Sequence, residues 1–303
     1  MAFINEHKER FGVEPICTVL TEHGCKIAPS TYYDARDRQP SKRKQRDTEL
    51  IGLIETERKS KFVRLLGARK MWLRLRGKGH DVARCTIERL MREMGITGVT
   101  RAKAPRTTIA DEKAQRPKDL VDRQFVANKP NELWCADFTY VPTWEGMVYV
   151  AFIFDVFSRR ILGWRAATSM TTPLVLDALE MALWTRRKEG ITDLAGLVHH
   201  TDAGSQYTSI AFTQRLIEAS VDASVGSVGD AYDNALAESQ IGVYKSELIN
   251  RQPWKDCEHV EIETLDWAHW FNTERPHESI DDLTPIQAEQ FHYTHRTRLA
   301  ETG

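Results

Sequence analysis

The segment from Met147 to Ser158 (MVYVAFIFDVFS) is a near-continuous run of apolar, largely β-type residues, and it limits the fold more than any other segment. A run of this kind predicts a strand buried on both faces, because a half-exposed strand alternates apolar and polar residues. LWCADFTYVP before it and RRILGWRAAT after it also have strand character. The break at Ser158-Arg159-Arg160 fits a hairpin turn, so the sequence predicts three successive strands.

Helices and short strands alternate after the third strand. Apolar spacing predicts a helix at about 172–189, a strand in LVHHTD, a helix at about 209–220, a strand in DASVGS and a long helix starting near Asn234. The order β-β-β-α-β-α-β-α indicates an α/β layered core within residues 131–250. The tail, 251–303, contains Trp254, Trp267, Trp270 and Phe271, and we interpret it as a helical extension that packs on the core.

Charge is divided unevenly along the chain. Residues 1–130 hold 29 Lys and Arg against 17 Asp and Glu, a net charge of +12, and residues 131–303 have a net charge of −13. A basic half is typical of nucleic-acid binding, because Lys and Arg that neutralise phosphates release counterions. Two alternatives stay open, a solvated basic surface and direct pairing between the basic and acidic halves.

The basic half is predicted to be helical. Residues 1–40 fit short helices that form a DNA-binding segment, 38–46 read as a polar linker, and a further helix runs from Asp47 toward Phe62. Residues 67–98 fit two helices around a turn at Gly77 and Gly79, within a helix-turn-helix region assigned to 41–100. Helical hairpins are common, so the charge around this one is what favours DNA binding. Residues 101–130 are predicted to be an extended basic linker.

Several classes of protein are excluded by composition. No apolar stretch approaches the roughly 20 residues that span a bilayer, and the N-terminus lacks the apolar region of a signal peptide. The five cysteines are scattered and form no C-x-x-C pair, which argues against a disulfide framework and a cysteine-rich zinc site. We therefore expect a protein of the cytosol without structural zinc.

Three carboxylates stand out by their placement. Asp137 lies in the middle of a strand, where Asp is depleted. Asp202 directly follows an apolar strand, and Glu238 lies near the start of a helix, with 35 residues between the two. Such a spacing arises by chance in a chain with 43 acidic residues, so the context matters more. Lys245 follows Glu238 by two helical turns and shares its face about 10 Å further on.

Four motifs carry a family resemblance. WCADFTYV, HHTDAGSQYTS, VGDAYDNALAES with Lys245, and NTERPHESI resemble the integrase core of insertion-sequence transposases, and best the OrfB product of the IS-three type in the DDE superfamily of retroviral integrases. The resemblance spans essentially the whole chain. It implies an α/β, RNase H-like core of the retroviral integrase type, preceded by an all-α helix-turn-helix region. The His-His-Cys-Cys zinc module of retroviral integrases is absent.

The resemblance implies a chemistry for the carboxylates. Asp137, Asp202 and Glu238 would be catalytic and would hold two Mg²⁺ ions, with Mn²⁺ as a substitute, for 3′-end cleavage and strand transfer of DNA. Supporting side chains lie around them. Asn234 is either the N-cap of its helix or a substrate contact, and the further predicted DNA contacts are Lys245, Gln206, Tyr207, Arg84, Arg89 and Arg92.

Other polar residues near the motifs are expected to be structural. We predict such a role for Asp155, a core position for His199 or His200, and a bracing role for Arg275, Pro276 and His277.

The expected partners are the double-stranded DNA of element ends and target, and further copies of the chain in a dimer or larger complex. An OrfA-type helix-turn-helix partner or frameshifted fusion is a further possibility, and the chain would then be an accessory or regulatory subunit. A nuclease that cuts without joining and a DNA-binding repressor with an inactive core are the competing hypotheses. The expected location is the prokaryotic cytoplasm, in association with the nucleoid.

Overall fold

Five strands form one mixed sheet in the computed structural model, which describes residues 1–100, 126–202, 206–207, 209–225 and 234–301. They are β1 Leu133–Thr143, β2 Gly146–Asp155, β3 Ile161–Ala167, β4 Val198–Thr201 and β5 Asp222–Val225. Their order across the sheet is β3-β2-β1-β4-β5. The pairs β1–β2 and β2–β3 are antiparallel, and β1–β4 and β4–β5 are parallel. The predicted strands are confirmed.

The helices precede, interrupt and follow this sheet. They are α1 Ala2–Phe11, α2 Val13–Glu22, α3 Pro29–Asp37, α4 Lys42–Arg58, α5 Ala68–Gly77, α6 Arg84–Glu93, α7 Thr172–Lys188, α8 Ile210–Glu218, α9 Ala235–Glu247, α10 Cys257–Thr273 and α11 Pro285–Glu301. Short 3-10 turns lie at Val63–Leu65, Ile249–Arg251 and Glu278–Ile280. No helix in the described ranges is long and apolar enough to cross a membrane.

The chain divides into two compact units, Met1–Glu57 and Arg58–Gly303. In the first unit, α1, α2 and α3 enclose a small core of Ile4, Ile16, Cys17 and Tyr32. The Tyr32 hydroxyl donates to Asn5 Oδ1 at 2.7 Å, which joins the third helix to the first. The predicted polar linker at 38–46 is wrong in its second half, because α4 already begins at Lys42. Propensity explains the difference, since Lys, Arg and Gln all favour helix.

The predicted helical hairpin is present in the second unit as α5 and α6. Met71 and Leu75 of α5 are buried, as are Ile87 and Leu90 of α6. Trp72 Nε1 donates to the Val82 carbonyl at 2.8 Å and closes the turn between the helices. Most of the predicted linker, 101–125, lies outside the described residues.

Ion pairs connect this hairpin region to helices near the C-terminus of the same unit. Phe62 also contacts Trp270, with 5.2 Å between ring centroids. The alternative in which the basic and acidic halves pair with each other is therefore realised for part of the basic charge. The pairs are Lys61–Glu263, Arg69–Asp282 and Arg74–Glu274.

The main core lies between the sheet and helices α7 and α8. Gly163 of β3 permits the closest approach, because a Cβ atom there would lie 2.1 Å from the Ala178 carbonyl oxygen of α7. The opposite side of the sheet receives α9 and α10, with the Tyr244 hydroxyl 2.7 Å from Thr264 Oγ1 between them. The predicted packing of the helical tail on the core is confirmed.

A buried charge network, here named the Arg186 cluster, joins Arg186 of α7, Asp155 of β2, Glu289 of α11 and Arg160. Asp155 also accepts backbone N–H bonds from Asn131, Phe157 and Ser158, which shapes the predicted hairpin turn. Arg159 adopts a left-handed conformation in that turn, with φ of 64°. The structural role predicted for Asp155 is confirmed.

The end of α9 is braced as predicted. Arg275 binds Glu247, the last residue of α9, with its Nε and Nη2 atoms at 2.9–3.1 Å from Glu247 Oε1. His277 lies against Phe271, with ring centroids 4.4 Å apart. Both side chains are buried.

Candidate active site

Two of the predicted carboxylates meet where a parallel strand pair ends. The register of β1 and β4 pairs Cys135 with His200 and Ala136 with Thr201. Asp137 follows Ala136 and Asp202 follows Thr201, so the pairing brings the two carboxylates to adjacent positions. Asp202 leaves the carboxyl end of β4, an edge of the sheet that commonly carries binding sites.

The third carboxylate comes from a helix that packs on the strand of the first. Glu238 lies in the first turn of α9 and is exposed. Helix α9 packs against β1, and the Asn234 side chain at its start donates to the Ala136 carbonyl at 2.8 Å. This hydrogen bond connects the beginning of the helix to the residue directly before Asp137.

The charges of Asp202 and Glu238 both act on Asp137. Burial raises the pKa of Asp137 well above its usual range, and the charges of Asp202 and Glu238 raise it further. The Phe138 N–H, 2.8 Å from Asp137 Oδ1, and the Lys245 ammonium act in the opposite direction. Mutual repulsion between carboxylates disfavours the ionised form, and a bound cation would relieve it.

The chemistry of these side chains fits a hard divalent cation, since carboxylate oxygens are the ligands that Mg²⁺ and Mn²⁺ prefer. Among the described residues, no three His, Cys, Asp or Glu side chains form a closed group of metal ligands. Asp202 and Glu238 thus act on Asp137 through their charges, and the binding of a pair of metal ions by the three carboxylates stays a prediction.

Lys245 lies beside the carboxylates on the same helix as Glu238. Its Nζ atom is 4.6 Å from the ring centroid of Tyr140 on β1, a cation–π contact. Tyr140 was not anticipated from the sequence. The signal for it was an exposed aromatic residue three positions after the strand aspartate.

Tyr207 and Gln206 lie close to the site, but Tyr207 is not at the surface. Tyr207 is 4% exposed and packs against Phe138 and Phe212, and its hydroxyl has no hydrogen-bond partner within the described ranges. Burial raises the pKa of Tyr207, and the charges of Asp137 and Asp202 add to that effect. Gln206 is partly exposed and donates to the Met170 carbonyl at 3.3 Å. DNA contact by Tyr207 stays a prediction that requires the side chain to become accessible.

Asn234 occupies the predicted N-cap position of α9, but its side chain makes no capping hydrogen bond. The amide instead reaches across to β1, and the residue is 5% exposed. The prediction of a side-chain cap is wrong for the described residues, because the backbone of Asn234, with φ of −139° and ψ of 33°, departs from the extended conformation in which an N-cap oxygen accepts from the first turn. Substrate contact by Asn234 stays a prediction.

The arginines of α6 are solvent-facing. Arg84 Nε lies 2.6 Å from Glu88, and Arg89 lies 3.1 Å from Glu93, both as i,i+4 pairs along the helix. Arg92 is exposed. Exposed pairs of this kind contribute little to stability, so DNA phosphates can compete for these arginines at small cost.

The two histidines before Asp202 are core residues. His199 lies against Phe212, and burial lowers its pKa to about 3. His200 Nδ1 is 2.9 Å from the Ser224 hydroxyl of β5. The prediction that one of them faces the core is confirmed for both. All five cysteines are free thiols.

Family models match most of the chain. An HTH-like domain model matches residues 42–104, and two integrase core domain models match residues 127–231 and 219–285. The first covers the α5–α6 hairpin, and the other two cover the sheet, α9 and α10. The helical region is therefore HTH-like, and the sheet belongs to an integrase core.

Relatives match over nearly the full length. The chain is 53% identical over 275 residues to a protein of Mycobacterium tuberculosis described as a transposase for insertion sequence element IS986/IS6110, covering 90% of this chain and 99% of that protein. It is 48% identical over 298 residues to the Shigella sonnei transposase for IS629, covering 97% and 96%. It is 28% identical to the Escherichia coli transposase InsF for IS3A, covering 95% and 97%.

Solved structures give weaker similarities. The chain aligns with a chain of the simian T-cell lymphotropic virus intasome in complex with PP2A regulatory subunit B56 gamma, at 15% identity and a TM-score of 0.42, over 74% of this chain and 70% of that one. The HTLV-2 integrase catalytic core domain in complex with magnesium aligns at 16% identity and a TM-score of 0.38, over 54% and 98%. The near-full-length relatives and the domain models together show that the chain belongs to the insertion-sequence transposases of the IS3/IS6110 type, with an HTH-like domain and an integrase core.

Proposed function

We propose that this transposase is a divalent-metal-dependent polynucleotidyl transferase that cleaves insertion-sequence DNA at its 3′ ends and joins those ends to a target. The observation that carries the proposal is that Asp202 and Glu238 lie near enough to Asp137 for their charges to raise its pKa. These residues come from a central strand, the end of its parallel neighbour and a helix that packs on the same strand. Asp202 and Glu238 act on Asp137 although the three residues are up to 101 residues apart in sequence.

In this proposal Asp137, Asp202 and Glu238 would hold two Mg²⁺ ions, or Mn²⁺ in their place. Asp137 would be a ligand of both ions, Asp202 a ligand of one and Glu238 a ligand of the other. Bound there, the ions would supply activation of the attacking oxygen and stabilisation of the leaving oxygen of the phosphodiester. The protein's own task is to place the DNA and to neutralise its charge.

Two reactions then share the site. Water forms a new P–O bond at the element end while the bond to the 3′ oxygen breaks, which frees a 3′-hydroxyl. That hydroxyl forms a P–O bond with a target phosphate while the target strand breaks. Lys245 is positioned to bind a phosphate beside the carboxylates, and its contact with Tyr140 restrains the ammonium.

The HTH-like domain is proposed to bind the element ends, with Arg84, Arg89 and Arg92 of α6 directed to the DNA. Two ends must be held together for joining, so we propose that two or more copies assemble on DNA. An OrfA-type partner or fusion would add a second DNA-binding module. The proposal that the chain is only an accessory subunit predicts no products from the chain alone.

The test is incubation of the full chain with labelled element-end DNA and Mg²⁺ or EDTA, scoring nicked and joined products separately. We expect both products with Mg²⁺ and neither with EDTA. Glu238→Gln should lower both by at least about 100-fold, because loss of one ligand misplaces the reacting groups. The matched control is Glu218→Gln, an exposed glutamate on α8 away from the triad, which should behave as wild type.

The outcomes separate the hypotheses. Nicked DNA without joined DNA would indicate a nuclease, and binding without products would indicate a repressor or an accessory subunit. Products that persist in Glu238→Gln or in EDTA would refute the assignment of the triad.

A further inference from the structure

Asn234 forms the direct side-chain hydrogen bond between the helix that carries Glu238 and the strand that carries Asp137. We propose that Asn234 is a positioning residue, which sets the separation of Glu238 from Asp137 by tying the start of α9 to β1. The inference deepens the proposed function and rests on it for the meaning of the two carboxylates. The tie itself is a structural property that can be measured without catalysis.

The acceptor of this bond sits at a special point of the sheet. Ala136 is the last residue of β1 that pairs with β4, since the parallel register ends at Ala136–Thr201. Its carbonyl accepts the Asn234 Nδ2 proton at 2.8 Å, in a buried environment. The amide therefore binds where the parallel ladder stops, one residue before Asp137.

The donor, Asn234, is also hydrogen-bonded to the backbone of Glu238, which carries the other carboxylate. The Glu238 backbone N–H donates to the Asn234 carbonyl at 3.0 Å, which is the first hydrogen bond of α9. A single residue thus receives the backbone bond from Glu238 and gives the side-chain bond to the neighbour of Asp137. The backbone at Glu238 is therefore connected to the backbone next to Asp137 by two hydrogen bonds, both made by Asn234.

Burial makes the tie strong. Asn234 is 5% exposed, and a buried amide donor or carbonyl acceptor that loses its partner keeps the cost of desolvation. The side chain does not cap the helix, so the first turn of α9 depends on this attachment to β1 instead of on a local cap. Among the residues that the structure describes, Asn234 Oδ1 has no partner, so Nδ2 is the atom that fixes the side chain.

The experiment compares Asn234→Ala with Asn272→Ala in the full chain. Asn272 of α10 is the matched control, because its amide also ties a helix to a strand, bonding the Ile161 carbonyl and N–H at 2.9 Å each, outside the triad. Backbone hydrogen exchange is read at residues 235–241 of α9, and Mn²⁺ affinity is read by calorimetry without DNA.

For Asn234→Ala we expect amides in the first half of α9 to exchange at least about fivefold faster, with the second half unchanged. Mn²⁺ affinity should fall about tenfold or more, as it does when groups that orient metal ligands are lost. Asn272→Ala should lower the Tm without either change. Asn234→Ser keeps a residue favoured at helix starts but lacks the long amide, so it should weaken Mn²⁺ binding like Asn234→Ala and serves if the alanine variant does not fold.

The inference is overturned if Asn234→Ala exchanges and binds Mn²⁺ as wild type does, or if Asn234→Ser restores wild-type affinity. A wild-type protein that binds no Mn²⁺ and gives no DNA products would instead refute the proposed function. The exchange comparison would still decide whether Asn234 holds α9 to β1.

Discussion

Replacing Arg186 by methionine tests how the Arg186 cluster holds α11 to the sheet and α7. The guanidinium is fully buried, and it donates to Glu289 Oε1 at 2.6 Å, Glu289 Oε2 at 2.8 Å and Asp155 Oδ2 at 3.2 Å. Methionine conserves much of the volume, so the change removes chiefly the charge and its donors. Asp155 and Glu289 then stay buried as carboxylates but lose the positive charge and the hydrogen bonds of Arg186.

The expected loss of stability depends on the hydrogen bonds that the two carboxylates keep. Asp155 keeps backbone donors from Asn131, Phe157 and Ser158, and Glu289 keeps Arg160 at 2.6 Å. Breaking a buried ion pair by removing one partner costs about 3–5 kcal/mol, and the surviving donors place the expected loss near about 3 kcal/mol. For a domain of this size the Tm should fall by about 6–12 °C.

The dependence on pH gives a second signature. In the wild type, burial alone would raise the pKa of Glu289, but the bonds and charges of Arg186 and Arg160 hold it below the ordinary 4.5. This carboxylate therefore stabilises the fold above pH 4.5, and that contribution is lost as the pH falls through its lowered pKa. Without Arg186, burial should raise the pKa above the unfolded value, so acidification favours the folded variant relative to neutral pH. The difference in free energy of unfolding between the wild type and Arg186→Met should therefore narrow from pH 7 to pH 5.

The assay is urea unfolding at pH 7 and pH 5, followed by circular dichroism. Arg187→Met is the matched control on the same helix, because Arg187 is 55% exposed and lies 3.7 Å from Glu180, a surface pair worth at most about 1 kcal/mol. A loss for Arg186→Met below about 1 kcal/mol at pH 7, or a gap that does not change with pH, would refute the reasoning.

Two further stability predictions follow. Gly163→Ala should destabilise by at least about 1–3 kcal/mol, because its Cβ would lie 2.1 Å from the Ala178 carbonyl, and α7 must move. Gly52→Ala, with open space around it in α4, should instead stabilise by about 0.5–1 kcal/mol in the same urea unfolding assay, and equal effects of the two would contradict the packing argument. Tyr207→Phe removes a buried hydroxyl that has no partner among the described residues, so its free energy of unfolding in urea should equal that of the wild type or exceed it by up to about 1 kcal/mol. A loss above about 2 kcal/mol would show that the hydroxyl is bonded in solution.

The strands and the core helices could be predicted from the sequence because their patterns are local. The apolar run of β2 and the helical spacing of α7 each report burial through side-chain periodicity. That Asp137 lies within a strand, Asp202 directly follows one and Glu238 lies near a helix start could be predicted in the same way. The parallel pairing of β1 with β4, which makes Asp137 and Asp202 neighbours, could not be predicted, since side-chain periodicity does not determine strand order.

The contacts that depend on distant residues could not be predicted. Asn234 was placed correctly at the start of α9, but its acceptor lies 98 residues away, so a local capping rule gave the wrong partner. Tyr207 was predicted as a DNA contact, and only its packing against Phe138 and Phe212 shows that its side chain is buried. The start of α4 was missed because a run of basic residues is compatible with both linker and helix.

The ion pairs Lys61–Glu263, Arg69–Asp282 and Arg74–Glu274 have a consequence for how such transposases diversify. An HTH-like domain transplanted from a relative would bring its own basic side chains to acidic positions that lie some 200 residues later in the chain. A chimaera that exchanges only the N-terminal part should mismatch these charges, whereas one that exchanges the C-terminal helices with it keeps them. Exchange of the HTH-like domain between elements is thereby constrained by ion pairs with the far end of the chain.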